Sequence, residues 1–249
     1  PDQITFTNLY KTYQDIAFAA AIGVQAITAD SVEELEKIGL VGEKLGLKIG
    51  IFLRLNPLID LGSYSTRHQQ YGIPYYHGKK VVAYAVNHPY LELRGLHFHG
   101  SYIANPEVYI IAAKKLLKLA IYAKDLGCPI KFLDLGGGFP THDNSHPEYC
   151  KSYDLEQGGK KVVKAIQKLL KAYDLPEPYL VFEPGKFIVA NAMMALMKVV
   201  SEKDTGKSQI LVTNGSVYNL VPDIFISKTK HYLLPANKMK QARTESYRI

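Results

Sequence analysis

The chain has 249 residues, 47% hydrophobic and 21% charged, with a formal net charge of +7. That is ordinary globular composition with room for a sizeable core, and no window approaches the roughly 18–20 uninterrupted apolar residues of a membrane span. Residues 1–8 hold no basic segment leading into an apolar run, so no secretory signal is read there. Cys128 and Cys150 stand in no disulfide or metal-ligand pattern, and a cytoplasmic location is the expectation. Lysines fall on helix-like stretches such as Lys114, Lys115 and Lys118, or Lys160, Lys161, Lys164, Lys168 and Lys171. These lysines interleave with apolar residues at helical spacing, the pattern of a solvated helix face, and nucleic acid is not an expected partner.

In chain order, short β-rich apolar runs at 4–7, 25–28, 49–55, 93–99, 130–135 and 179–182 predict strands. Amphipathic stretches at 12–22, 31–45, 106–126 and 155–173 follow the first, second, fourth and fifth of them. Ser31 with Glu34 three residues on reads as a capping box. Alternation of this kind predicts parallel strands with crossover helices, in an open doubly wound sheet or a closed barrel. Asn8, Asp30, Asn56, His99, Gly136 and Glu183 fall at the C-terminal ends of successive strands, which favours a (β/α)8 TIM barrel over a sheet with one switch point. Six units are present rather than eight. At about 25–35 residues per unit, roughly 50–80 residues of barrel are expected ahead of Pro1. Beyond residue 188, stretches 193–202 and 209–213 read as a hairpin around Lys203-Asp-Thr-Gly-Lys207. The fold class is therefore α/β, an incomplete (β/α)8 TIM barrel over 1–190 followed by the start of a β-rich C-terminal domain over 191–249.

Three motifs carry chemistry. In Leu133-Asp-Leu-Gly-Gly-Gly-Phe-Pro140, Gly136, Gly137 and Gly138 end an apolar strand and could turn backbone N–H groups onto an anion. Phe139, Pro140 and Thr141 come directly after the glycines, where a Rossmann fingerprint needs its third glycine and a P-loop its Gly-Lys-Ser/Thr, so both are excluded. Phe182-Glu-Pro-Gly-Lys186 places Glu183 at another strand end, where it could ligate a metal, act as a base or pair with a cationic heterocycle. Leu96-His-Phe-His-Gly-Ser101 puts His97 and His99 on one face of an extended strand, an arrangement open to metal binding or to one packed and one functional histidine.

Taken together, GLHFH-GS, LDLGGGFP and FEPGK in this order resemble the fold-type-III pyridoxal-phosphate decarboxylases, the group of the diaminopimelate, ornithine and arginine decarboxylases. Upstream, Thr5-Phe-Thr-Asn8 with Lys11 is similar to the family's "TNP-K" segment. Ile27-Thr-Ala-Asp-Ser31 with Glu33, Glu34 and Leu35 is similar to "DS-EEL", and Arg54-Leu-Asn-Pro57 to "RVNP". The resemblance spans about residues 1–190. It implies pyridoxal 5'-phosphate as cofactor, its phosphate held by Gly136, Gly137 and Gly138 with Ser101 and Lys186. It also implies His99 stacked on the pyridine ring and Glu183 paired with the ring nitrogen. His99 and Glu183 would then be the catalytic side chains and no metal would be bound. A small-molecule amino-acid substrate would be the partner, and the working form a homodimer with shared sites.

The sequence departs from the family at four places. Its covalent lysine lies in a "YAVKAN"-like strand; Tyr84-Ala-Val-Asn87 looks similar but carries Asn87 at the lysine position and falls in the wrong part of the barrel. Gly100 follows His99 directly where an aliphatic residue intervenes in the family, which turns the next residues to the opposite face. Lys186 stands for the usual arginine, keeping the charge and losing the bidentate fork. The C-terminal Cys–Asp pair and phosphate-binding tyrosine have no assigned counterpart. A chain that is part of a longer enzyme is expected to account for these gaps. The expected function is pyridoxal-phosphate-dependent decarboxylation of a basic or diamino acid, with a non-catalytic pyridoxal-phosphate-binding homologue and a metal-dependent barrel hydrolase as alternatives.

Overall fold

The structure, a computed structural model, describes residues 1–140, 154–189, 192–220, 222, 224–225, 233–242 and 246–248. The strands β1 (Thr5–Phe6), β2 (Ala26–Ala29), β3 (Ile49–Asn56), β4 (Ile73–Pro74), β5 (Leu91–His97), β6 (Phe132–Asp134) and β7 (Tyr179–Val181) form one parallel sheet. Every residue of β2 and β3 is buried, as expected of parallel strands covered on both faces. The order β1-β2-β3-β5-β6-β7 follows the chain, with β4 pairing beside β3. Without a reversal there is no switch point, and right-handed crossovers place all the helices on one side. The sheet therefore curls as half of a barrel, not as a doubly wound sheet. Six of its strands correspond to the six runs read from sequence.

The helices packed on this sheet are α1 (Tyr13–Ala21), α2 (Val32–Leu45), α3 (Gly78–Asn87), α4 (Glu107–Asp125) and α5 (Leu155–Ala172). Their apolar stripes meet the sheet in a single core that includes Ile16, Leu35, Leu53, Leu116, Leu133 and Ile166. Thr12 and Asp15 make a complete reciprocal capping box at α1. At α2 only half of the expected box forms. Ser31 accepts from the Glu34 N–H, but the Glu34 carboxylate accepts instead from the Asp30 N–H at 3.0 Å and from Lys11 at 3.0 Å. The crossover after β3 was not expected to hold a helix. Yet α3 buries Gly78, Val81, Val82 and Ala85 at helical spacing, and Tyr84-Ala-Val-Asn87 lies within it, so that segment is no strand.

One irregularity sets the register of the whole sheet. β3 and β5 pair Ile51 with Leu93 but Phe52 with Gly95, so Arg94 is an extra residue on β5. Arg94 is held out of line by Glu92 and by the Gln25 carbonyl. The sheet closes over the bulge because a Cβ at Gly95 would lie 2.8 Å from the Phe132 carbonyl oxygen, so glycine is required there. Past the bulge, Arg54 pairs with His97 rather than with Leu96. Because side chains alternate, the one-residue shift turns His97 onto the face that Arg54 occupies.

The chain divides into two compact units, Pro1–Pro140 with Tyr153–Gly185, and a second that takes in Lys186–Ile249. In the second, β8 (Val199–Asp204) and β9 (Gln209–Thr213) form an antiparallel hairpin, with β10 (Tyr247–Arg248) parallel to β9. The hairpin's first strand begins six residues later than expected, leaving Met193 and Met194 exposed ahead of it. Cys150 lies outside the described residues, and Cys128 is a free thiol. Among the described residues no helix is long and apolar enough to cross a membrane.

Lys11 joins β1, β2 and α2. Fully buried, it donates to the Thr28 carbonyl at 2.8 Å and to the Asn8 carbonyl, and pairs with Glu34. Burial draws its pKa down, and Glu34 opposes that shift. Replacing Lys11 with Met strands the Glu34 carboxylate and is expected to cost about 3–5 kcal/mol in urea denaturation, most of it recovered in a Lys11→Met, Glu34→Leu double variant.

Candidate active site

Three neighbouring strands end in polar residues. Arg54 of β3 pairs across with His97 of β5, and His97 with Asp134 of β6. Registered partners in a parallel sheet project to the same face, so these side chains form one buried row. The ladder runs on beyond the strands. Phe98 N–H donates to the Asp134 carbonyl, Leu135 N–H to Val181, and Glu183 N–H to Gly136 at 2.9 Å. That brings Glu183 above the row.

His99 lies two residues past the end of β5, so strand alternation is not what aligns it with His97. Both rings nevertheless reach the same carboxylate. His99 Nδ1 is 2.6 Å from Glu183 Oε2, a strong charge-assisted hydrogen bond. His97 Nε2 is 3.6 Å from Oε1, close enough for charge but too long for a hydrogen bond. His97 is 1% exposed, whereas His99 at 33% and Glu183 at 25% are open to a ligand. Burial works against the charge on Glu183. The two histidines outweigh it and hold the carboxyl well below the usual carboxylate range. Burial pushes the His97 pKa down, and the neighbouring Glu183 opposes that shift. The donor atoms of His97, His99 and Glu183 lie within 4.8 Å of one another, so distance alone accommodates a cation as readily as a hydrogen-bonded carboxylate.

The three glycines are needed by the chain itself. A Cβ would fall 2.5 Å from the Phe98 carbonyl oxygen at Gly136, 2.3 Å from that of Glu183 at Gly137 and 2.6 Å from that of Gly100 at Gly138. Their N–H groups are also less free than the sequence suggests. Gly136 N–H donates to Asp134 Oδ1 at 2.8 Å. Gly137 N–H points at His99 Nδ1 at 3.3 Å. That nitrogen cannot both accept from Gly137 and donate to Glu183, and the 2.6 Å contact wins. Gly137 therefore presents the N–H best able to meet an anion. Ser101 is exposed in the bend after His99, and no described hydrogen bond ties its hydroxyl to the glycine turn. Lys186 belongs to the second unit, in the short helix α6 (Gly185–Val189).

Two residues of this site carried no sequence signal. Tyr109 of α4, fully buried, donates to the Gly137 carbonyl at 2.8 Å and stacks on Phe139 at 5.2 Å. Asp134, inside the glycine motif, is completely buried, and its pKa is raised to about 8 by burial and then by the charge of Glu183.

A profile described as pyridoxal-dependent decarboxylase, pyridoxal binding domain, matches residues 1–190. The chain belongs to the pyridoxal-dependent decarboxylase family. Its cofactor is accordingly pyridoxal 5'-phosphate. A diaminopimelate decarboxylase of Pseudomonas fluorescens is 30% identical over 228 residues, 88% of this chain and 52% of the relative. The chain thus spans about half the length of the curated relatives it matches. The crystal structure of diaminopimelate decarboxylase from Helicobacter pylori complexed with L-lysine superposes with a TM-score of 0.77 at 24% identity, covering 93% of this chain and 57% of that one. The Paramecium bursaria Chlorella virus arginine decarboxylase gives 0.72 at 24% identity, covering 91% and 57%. At these identities the structural likeness speaks to the fold.

The anchor from α4 to the glycine turn can be tested directly. A Tyr109→Phe variant keeps the ring packing but leaves the Gly137 carbonyl unpaired. It is expected to lose about 1–3 kcal/mol of stability in chemical denaturation.

Proposed function

We propose that this chain is the cofactor-binding part of a decarboxylase acting on a basic or diamino acid, diaminopimelate first and ornithine or lysine next. The observation that carries the reading is the Glu183 carboxylate, held ionised beside a half-exposed His99 in a chain that matches the pyridoxal-binding domain.

The residues present fit the cofactor. An anionic carboxylate open to ligand suits a cationic ring nitrogen, the His99 ring can lie against an aromatic face, and the Gly137 N–H can meet a phosphate oxygen. Ser101, Gly136 and Gly138 join the phosphate site by resemblance. When bound, pyridoxal 5'-phosphate supplies a sink for the electrons left by departing carbon dioxide. The part of Glu183 is to keep a proton at the ring nitrogen, without which that sink is weak. His99 is hydrogen-bonded to Glu183 Oε2, which leaves Oε1 of the carboxylate for that pairing. Membership in the family is what favours this reading over a metal hydrolase built on His97, His99 and Glu183. The reading includes a homodimer with shared sites in the cytoplasm. A non-catalytic cofactor-binding homologue is the second reading, and a covalent lysine in the full-length protein would remove it.

In the full-length protein, Glu183→Gln is expected to lower turnover by about a hundredfold or more while bound cofactor, followed by its absorption, remains. Near-normal turnover would remove Glu183 from the ring nitrogen. Stoichiometric zinc without bound cofactor would sink the whole reading.

A further inference from the structure

Packing alone does not explain His97. Its ring is 1% exposed, and neither Nδ1 nor Nε2 has a hydrogen-bond partner. A buried polar group left unpaired costs free energy, and a neutral imidazole always carries one nitrogen lone pair to be satisfied. Nε2 lies 3.6 Å from Glu183 Oε1, across a gap too long for a hydrogen bond. On the other side of the same carboxylate, His99 Nδ1 is 2.6 Å from Oε2. The three side chains come from the end of β5, the bend beyond it and the turn after β7, all within the first compact unit. Their donor atoms lie within 4.8 Å of one another. Two imidazoles and one carboxylate are a ligand set that zinc takes up.

Geometry and local charge both suit such an ion. With bonds of about 2.0–2.1 Å, tetrahedral ligand atoms stand about 3.3 Å apart. The 3.6 Å gap is close to that width, and the 2.6 Å contact has to open by about 0.7 Å, which a turn of the half-exposed His99 ring can supply. Solvent reaches His99 and Glu183 at 33% and 25% exposure, which leaves a fourth position to water. Arg54 pairs across from His97 in the sheet, but Asp30 neutralises it at 3.1 Å. Asp134, fully buried, is the partner of His97 on the other side. The row thus sets two carboxyl groups, Glu183 and Asp134, against a guanidinium that is already paired, and a cation beside Glu183 relieves that crowding.

We infer that His97 Nε2, His99 Nδ1 and the Glu183 carboxylate form a zinc site in the cofactor-free protein, and that zinc and the cofactor exclude one another there. The exclusion rests on the decarboxylase reading, in which the ring nitrogen pairs with Glu183 Oε1. An ion held between that oxygen and His97 Nε2 takes the same lone pairs. The site is therefore inhibitory: bound zinc blocks loading, and loading expels zinc. Protein isolated with its cofactor is expected to hold no stoichiometric zinc.

The test uses the full-length protein, both loaded and after cofactor and metal have been stripped from it. Stripped protein should take up zinc stoichiometrically, measured by competition with a chromophoric chelator. Cobalt in its place should give the intense visible bands of a four-coordinate ion. His97→Gln, His99→Ala and Glu183→Gln should each weaken zinc uptake by about a hundredfold or more. If His97→Gln fails to fold, the two variants on the open side of the site decide the matter. Added pyridoxal 5'-phosphate should release the zinc, and loaded protein should take up none. Substoichiometric uptake, uptake unchanged in His99→Ala and Glu183→Gln, or zinc and cofactor bound together would overturn the inference. Failure of metal-free protein to take up pyridoxal 5'-phosphate would strike the decarboxylase reading and the exclusion with it. The zinc stoichiometry and its dependence on the three side chains are read without cofactor, so the site itself is judged separately.

Discussion

The site turns on one carboxylate held between two histidines. A half-buried glutamate would ordinarily be driven toward its neutral form. At Glu183, a 2.6 Å hydrogen bond from His99 and the nearby His97 ring reverse that drive. The arrangement makes a fixed negative charge available at the mouth of a parallel half-barrel, on the side where strand ends gather functional groups. The rest of the local structure serves to place that charge. The Glu183 N–H is bonded to Gly136, and the absence of a Cβ at Gly137 lets the Glu183 backbone approach the glycine turn.

Placement in turn rests on register. Had β5 paired with β3 without the bulge at Arg94, Arg54 would face Leu96 and His97 would lie on the other side of the sheet. Gly95 permits the bulged strand to sit against Phe132 and Phe52. An irregularity in the middle of the sheet thus determines which side chain stands beneath Glu183 at its end. The same sheet carries Asp134 into the row beside His97, where desolvation outweighs its tendency to ionise.

Much of this was legible from sequence. The alternation of apolar runs with amphipathic stretches predicted a parallel barrel in six units, and His99 and Glu183 were named from their motifs, as were the glycines. What was not legible depends on contacts between distant segments. Asp134 reads as one more residue before three glycines, and the rise in its pKa comes from burial and from Glu183, far along the chain. Tyr109 sits in an unremarkable helix until the Gly137 carbonyl is brought beneath it. The α3 helix went unread because its β-branched Val81, Val82 and Val86 and its uncapped start lack the usual signals. The half-formed capping box at α2 failed for a similar reason, because Lys11, from the segment ahead of α1, claims the Glu34 carboxylate.

The most direct test of the account is the protonation state of the cofactor itself. Full-length protein loaded with pyridoxal 5'-phosphate labelled with 15N at the ring nitrogen would be examined by NMR. The account predicts a protonated, hydrogen-bonded nitrogen whose signal changes in a Glu183→Gln variant. An unprotonated nitrogen, or one indifferent to that substitution, would contradict it.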